Sequence, residues 1–117
     1  MGASVLQEFA DVRGWVIIAP MYEIEFTPEA LEDLKSLRKF EQQEVIEGIE
    51  SQLKHKPTAE TRNRKKLRPN DVAEWELRIG RFRVFYNVDD TVHVVSIEAI
   101  GFKIGNQLFI RGEKRKL

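Results

Sequence analysis

Cysteine is absent from this 117-residue chain, and histidine occurs only twice, at His55 and His93. Without cysteine the chain can form neither disulfide scaffolds nor thiolate zinc sites, and it has no thiol nucleophile. Two histidines are too few to favour an imidazole-based metal site. The sequence therefore predicts a protein that works without a metal ion or another cofactor.

Long apolar runs are missing as well. The longest covers residues 15–19, which is far too short to span a membrane. The acidic residues Glu8 and Asp11 precede it, whereas a signal peptide opens with basic residues. We expect a cytoplasmic protein without a membrane partner. Its length suits one domain with one modest core.

The formal net charge is zero, because 19 Lys and Arg residues balance 19 Asp and Glu residues. The bases are nevertheless concentrated in two segments. Residues 54–70 hold seven bases against one acid, and residues 103–117 hold five bases against one acid. Such segments can meet a polyanion, or they can neutralise acidic helices or a partner protein. Charge alone leaves both interpretations open.

A strand and two helices open the predicted fold. Residues 22–26 alternate in polarity, which is typical of a strand. Thr27 can cap the following helix, and Pro28 suits its first position. Inward residues of this helix are predicted to be Leu31, Leu34 and Leu37. Residues 40–53 predict a second helix that packs through Val45, Ile46, Ile49 and Leu53. The short link between the helices favours an antiparallel hairpin.

Three strands in quick succession dominate the second half of the chain. The alternating segments are residues 74–79, 81–88 and 92–100, with Gly101 expected to end the last strand. Residues 54–70 lack periodicity and predict a loop. Residues 108–110 can add a short edge strand before a frayed basic tail, residues 111–117. Residues 1–20 form an N-terminal extension of uncertain structure, which leaves residues 21–110 as the domain. The predicted class is α+β, with the helix pair packed on one face of an antiparallel meander.

The face of this sheet that points away from the helices carries charged residues and is expected to be open to solvent. Arginines on it can bind phosphate through paired hydrogen bonds, and a glutamate can act as a base, with Glu74 as an alternative to Glu76. The candidate catalytic residues are Arg83, Arg78, Glu76 and Lys103. The candidate RNA-binding residues are Lys65, Lys66, Arg68 and Arg81.

Simpler interpretations of the same residues exist. Glu–Arg pairs across a hairpin are common on exposed sheets and contribute about 0.2–1 kcal/mol each. Phe85 is the one aromatic residue predicted on the charged face, where it can stack on a base or be covered by a partner. Trp75 is better explained as part of the core than as a stacking platform.

Several stretches resemble the RelE/ParE toxin superfamily over about residues 21–110. They are the strand 22–26 with Thr27-Pro28-Glu29-Ala30, then Lys66-Leu67-Arg68, then residues 76–86, and finally Ala99-Ile100-Gly101-Phe102-Lys103. The resemblance implies the α+β fold and a toxin of a type II toxin–antitoxin pair, held inactive by its cognate antitoxin. RelE-like members cleave mRNA on the ribosome, whereas ParE-like members inhibit DNA gyrase.

The resemblance also assigns roles to residues. Arg83 matches the phosphate-binding arginine of the family, Arg78 matches the arginine that closes the preceding strand, and Lys66 matches a basic residue of the entering loop. This chain departs from the nucleases by having Glu74 and Glu76 in place of lysines, Lys103 in place of an arginine, and Phe109 in place of a tyrosine. Phenylalanine cannot transfer a proton.

These observations predict a metal-independent, RelE-like endoribonuclease that acts on mRNA at the ribosome. Two alternatives stay open: a ParE-like inhibitor of DNA gyrase that is not a nuclease, or a degenerate member that only binds an antitoxin.

Overall fold

The computed structural model describes residues 21–117, so the expected N-terminal extension lies outside the described residues. Two helices follow the first strand, and six more strands follow the helices. In chain order the elements are β1 (Glu23–Phe26), α1 (Pro28–Lys35), α2 (Lys39–Leu53), β2 (Arg64–Lys66), β3 (Trp75–Ile79), β4 (Phe82–Asp89), β5 (Val94–Ile104), β6 (Gln107–Ile110) and β7 (Glu113–Arg115).

The start of α1 is built as the sequence predicts. Thr27 is the N-cap, and its hydroxyl oxygen accepts a hydrogen bond of 3.1 Å from the amide of Ala30. Pro28 occupies the first helical turn, where its missing N–H costs nothing. The helix therefore begins immediately after β1 and folds back onto the sheet.

The helix pair uses a narrower apolar side than predicted. Leu34 of α1 is buried, as are Val45 and Ile49 of α2. Leu31 is 39% exposed and Ile46 is 38% exposed, so the prediction that both point inward was wrong. Each lies one position after a buried residue, about 100° further around its helix, and faces solvent.

The sheet contains the predicted meander and extends it at both ends. Its strand order is β2-β3-β4-β5-β6-β7, and every neighbouring pair in this order is antiparallel. β1 runs parallel to the first part of β5, opposite residues 94–97. β6 pairs with the last part of the same strand, opposite residues 102–104. Because β5 is 11 residues long, it has room for both neighbours.

Three expectations about irregular segments were wrong. Residues 54–70 are not a loop throughout, because Arg64–Lys66 pair with β3 as an edge strand. Gly101 does not end β5, which continues to Ile104. The tail is not frayed, because Glu113–Arg115 pair with β6.

Each face of the sheet carries an apolar core. The helices cover the larger core, which includes Trp75, Leu77 and Tyr86 as predicted. The opposite face is covered in part by a second core, made of Ala73, Phe85, Ala99, Leu108 and Ile110 with Leu67, Val72 and Leu117 packed against it. Phe85 is 0% exposed. The predictions that this face is open and that Phe85 can stack on a base were therefore wrong.

Candidate functional site

A cleft of about 200 Å³ lies beside the second core, between β2 and β7, the strands at the two ends of the sheet. Residues of β2 and its approach, Arg62, Asn63 and Lys65, line one side. Residues of β7 and its continuation, Arg115, Lys116 and Leu117, line the other. Strands at opposite ends of a sheet can share a cleft only if the sheet curls. The cleft is therefore the concave side of a curled sheet.

The middle strands complete the cleft with both signs of charge. β3 contributes Glu76 and Arg78, and β5 contributes Lys103. Glu76 is the one acidic side chain among the lining residues. Six of the lining residues are cationic: Arg62, Lys65, Arg78, Lys103, Arg115 and Lys116. Clustered cations with a single carboxylate suit an anionic ligand that must also meet a base.

Strand register explains why these residues converge. Lys65 lies directly opposite Glu76 on the neighbouring strand, and Arg78 follows Glu76 by two residues on the same face. At the other side of the cleft, Lys103 lies opposite Leu108, and Leu108 lies opposite Arg115. Residues directly opposite one another share a face. The structure thus brings together Lys65, Glu76, Arg78 and Lys103 from the predicted site.

Arg83 is also predicted for this site, but its side chain does not reach solvent. The residue is 6% exposed, and its Nη1 donates hydrogen bonds to the carbonyl oxygens of Gly80 and Phe82, each at 2.9 Å. Its Nε lies 3.6 Å from Oε2 of Glu76. Arg83 therefore ties the β3–β4 turn to the carboxylate at the cleft, and the prediction that it is open to a phosphate was wrong.

The electrostatics of Arg83 follow from this position. Burial lowers the pKa of its guanidinium, nearby Arg78 lowers the pKa further, and Glu76 opposes both effects. Its Nε–H has no hydrogen-bond partner among residues 21–117. The guanidinium of Arg83 and the carboxylate of Glu76 thus form a largely buried ion pair, with Nε and Oε2 3.6 Å apart.

Arg81 lies on the helix side of the sheet and not in the cleft. Its Nη2 donates to Oε2 of Glu41 at 3.1 Å, and its guanidinium lies 4.9 Å from the ring centre of Phe82 and 5.2 Å from that of Phe102. Hydrogen bonds from the Arg38 backbone and then from Arg81 lower the pKa of Glu41. Strand alternation does not extend to Arg81, because it sits in the turn between β3 and β4.

The other basic candidates lie on a different groove. Lys66 and Arg68, together with Glu74, line an open groove of about 530 Å³ along residues 66–74. The Nζ of Lys66 lies 5.6 Å from the ring centre of Trp75. Lys65 and Lys66 are consecutive on β2 and so point to opposite faces, which divides the predicted basic segment.

Sequence reasoning missed the residues that the approach to β2, the β5–β6 turn, and β7 with its continuation bring to the cleft. These are Arg62, Asn63, Asn106, Arg115 and Lys116. The excess of bases in residues 103–117 was a signal for the last two, but the pairing of β7 was not predicted. Phe109 is on the other side, where its ring stacks on Phe102 at 5.7 Å.

Two absences hold for residues 21–117. No group of three or more His, Asp or Glu side chains there is placed to bind a metal ion. No helix in that part of the chain is long and apolar enough to cross a membrane.

Solved structures share this fold, although no curated protein sequence matches the chain. A chain in the toxin–antitoxin complex RelBE2 from Mycobacterium tuberculosis is 27% identical, with a TM-score of 0.60 over 71% of this chain and 99% of that chain. A chain in the archaeal RelE–RelB complex from Pyrococcus horikoshii OT3 is 22% identical, with a TM-score of 0.56 over 68% of this chain and 92% of that chain. The predicted RelE-like fold is confirmed.

The family model described as the ParE toxin of the type II toxin–antitoxin system parDE matches residues 24–101. This match runs from β1 to the glycine of β5, and it spans 78 of the 117 residues. The chain therefore belongs to the ParE toxin family, within the RelE/ParE superfamily of type II toxin–antitoxin toxins.

Proposed function

We propose that this toxin is a metal-independent endoribonuclease that cleaves mRNA on the ribosome. The observation that carries the proposal is the cleft, where six cationic side chains surround the carboxylate of Glu76. A phosphodiester is the polyanionic ligand that such a cleft suits, and RNA supplies the nucleophile that a carboxylate can activate. The toxin acts in the cytoplasm, where translated mRNA is found.

The chemistry is a transfer of the phosphodiester to the neighbouring 2′-oxygen. Glu76 accepts the proton of the 2′-hydroxyl as the 2′-oxygen bonds to phosphorus. The bond from phosphorus to the 5′-oxygen breaks, and Lys103 donates a proton to that oxygen. The products are a 2′,3′-cyclic phosphate and a 5′-hydroxyl. Arg78 stabilises the negative charge that develops on the phosphorus oxygens.

Arg83 has a different role from the one its sequence position suggests. It lies 3.6 Å from Glu76 and is held by two turn carbonyls. We assign it as a positioning residue that orients Glu76, because its guanidinium lies beside the carboxylate and is itself fixed by the turn.

An antitoxin is the proposed partner that keeps the toxin inactive. The two solved relatives are toxin–antitoxin complexes, RelBE2 and RelE–RelB. The second basic surface, formed by Lys66 and Arg68, is outside the cleft and is proposed to contact ribosomal RNA.

The proposal is tested by replacing Glu76 and, as a control, Glu74 with glutamine. Glu76→Gln removes the proposed base with almost no change in shape, and it should slow cleavage by about 10²–10⁴-fold. The matched control is Glu74→Gln, two residues away on the other groove, which should cleave like wild type. Cells induced to express each protein are compared by mapping mRNA ends.

Two results would count against the proposal in different ways. Unchanged cleavage by Glu76→Gln would overturn Glu76 as the base. Growth arrest by wild type while its transcripts stay intact would overturn the nuclease.

A second candidate, inhibition of DNA gyrase without cleavage, is favoured by two observations. Arg83 is buried, and Phe109 is stacked on Phe102 in place of a proton donor. This candidate predicts intact mRNA and loss of supercoiling activity when pure toxin is added to gyrase. Unchanged supercoiling would count against it.

A further inference from the structure

We propose that β7 provides a second phosphate-binding subsite, so that the cleft is one part of a longer track for single-stranded RNA. In this track Arg78 and Lys103 bind the scissile phosphate, and Arg115 and Lys116 bind a flanking phosphate. The inference rests on the proposed function for the class of ligand, but it concerns binding and does not require cleavage.

The first argument is the position of Arg115 relative to Lys103. Leu108 lies between them in a row that crosses three strands, because it is opposite Lys103 on one side and Arg115 on the other. Neighbouring strands are about 4.8 Å apart, so the two backbones are separated by roughly 10 Å. Two cations at that separation suit two successive anionic groups.

The second argument is that the cleft continues beyond β7. A groove of about 370 Å³ adjoins it and is lined by Asn106, Gln107, Lys114, Arg115 and Lys116. Three of these residues, Asn106, Arg115 and Lys116, also line the cleft. A ligand that leaves the cleft past these residues therefore enters a second basic groove. An extended single strand can follow this path.

The third argument is that Arg115 is held in place. Its Nη2 lies 2.6 Å from Oδ1 of Asp71, which joins β7 to the loop between β2 and β3. A guanidinium has five N–H donors, and one carboxylate engages at most two of them. Leu117 packs against the second core just beyond. The arginine is thus oriented before the ligand arrives, which lowers the entropic cost of binding.

The salt dependence of binding to an uncleavable RNA tests the track. The probe is a 2′-O-methylated single strand of about 12 nucleotides, since it has phosphates but no free 2′-hydroxyl. Affinity is measured for the purified full chain between about 50 and 200 mM salt. Each lost phosphate contact should reduce the slope of log K against log salt by about 0.7.

Arg115→Gln/Lys116→Gln should therefore reduce the slope by about 1.4. The matched control is Lys35→Gln/Lys39→Gln, which removes two exposed charges from the helix side of the molecule. It should keep the wild-type slope. The exchange Arg115→Lys/Lys116→Arg keeps both charges and should restore the slope. An unchanged slope in the glutamine variant, an equal loss in the control, or no rescue by the exchange would each overturn the track.

The same assay separates this inference from the proposed function. If the track is confirmed but no protein cleaves mRNA, the nuclease is wrong and the binding site stands. If wild type cleaves mRNA but the glutamine variant keeps its slope, the nuclease stands and the track is wrong. Absence of salt-dependent binding by wild type overturns the track, whereas the nuclease is decided by the mapping of mRNA ends.

Discussion

At the scale of single residues, strand alternation predicts which face of the sheet a side chain points to. It does not predict what covers that face. Alternation along β3 and β4 correctly separates Glu76 and Arg78 from the core residues, and it also separates Arg83. The three then meet different surroundings. Arg78 stays exposed in the cleft, whereas Arg83 turns back to the carbonyls of its own turn. The spacing of residues in the sequence does not show whether an arginine will face solvent or bond to backbone carbonyls.

Arg83→Ala should destabilise the toxin as well as impair it. The substitution removes the hydrogen bonds from Arg83 to the partly buried carbonyl of Gly80 and the buried carbonyl of Phe82, and it leaves Glu76 without its cation. The free energy of unfolding should fall by about 2–3 kcal/mol, measured by urea denaturation. Arg78→Ala is the matched control on the neighbouring strand; it is exposed and should change stability by less than about 0.5 kcal/mol. Equal stability of both variants would show that the buried contacts of Arg83 contribute nothing to the fold.

At the scale of elements, the sequence predicts what its periodicity encodes. The helix hairpin and the three central strands have long alternating or helical patterns, and all of them are present. β2 and β7 have three residues each, mostly basic, and such short edge strands leave no apolar pattern. Gly101 misled the prediction for a different reason. We interpreted Gly101 as the end of a strand, but it lies within β5, at a point where the backbone of β6 passes very close to it.

Gly101→Ala should disrupt the outer part of the sheet. A Cβ at this position would lie 2.5 Å from the backbone oxygen of Phe109, which cannot move without breaking the pairing of β6. We expect a loss of about 1–3 kcal/mol in the free energy of unfolding. Gly105→Asn is the control: nothing lies within 4 Å of a Cβ there, and asparagine tolerates its φ of +61°. If Gly101→Ala were as stable as this control, the close approach would have no structural importance.

At the scale of the whole molecule, the functional surface depends on the curl of the sheet. β4 and β5 contain a bulge, since Phe85 pairs with Ala99 while Tyr86 pairs with Ile97. Bulges increase the twist of a sheet, and here the twisted ends meet over the second core. The neutral chain thereby brings six of its 19 Lys and Arg residues together on the concave side. This closure joins segments about 50 residues apart, so no local pattern in the sequence could have predicted it.

The outermost strands of the curled sheet should open before its centre does. β7 is held by pairing with β6, by the second core and by the Asp71–Arg115 ion pair, whereas β4 and β5 lie between two cores. Amide hydrogen exchange should therefore be faster in β6 and β7 than in β4 and β5.

Asp71→Asn should speed the exchange of β7 by up to about fivefold, because a partly exposed ion pair contributes about 1 kcal/mol or less. It should leave β4 and β5 unchanged. Asp90→Asn, which removes only the contact with Tyr22 near the opposite end of β5, should leave β7 unchanged. Equal exchange rates in all four strands would mean that the wall of the cleft opens only by global unfolding.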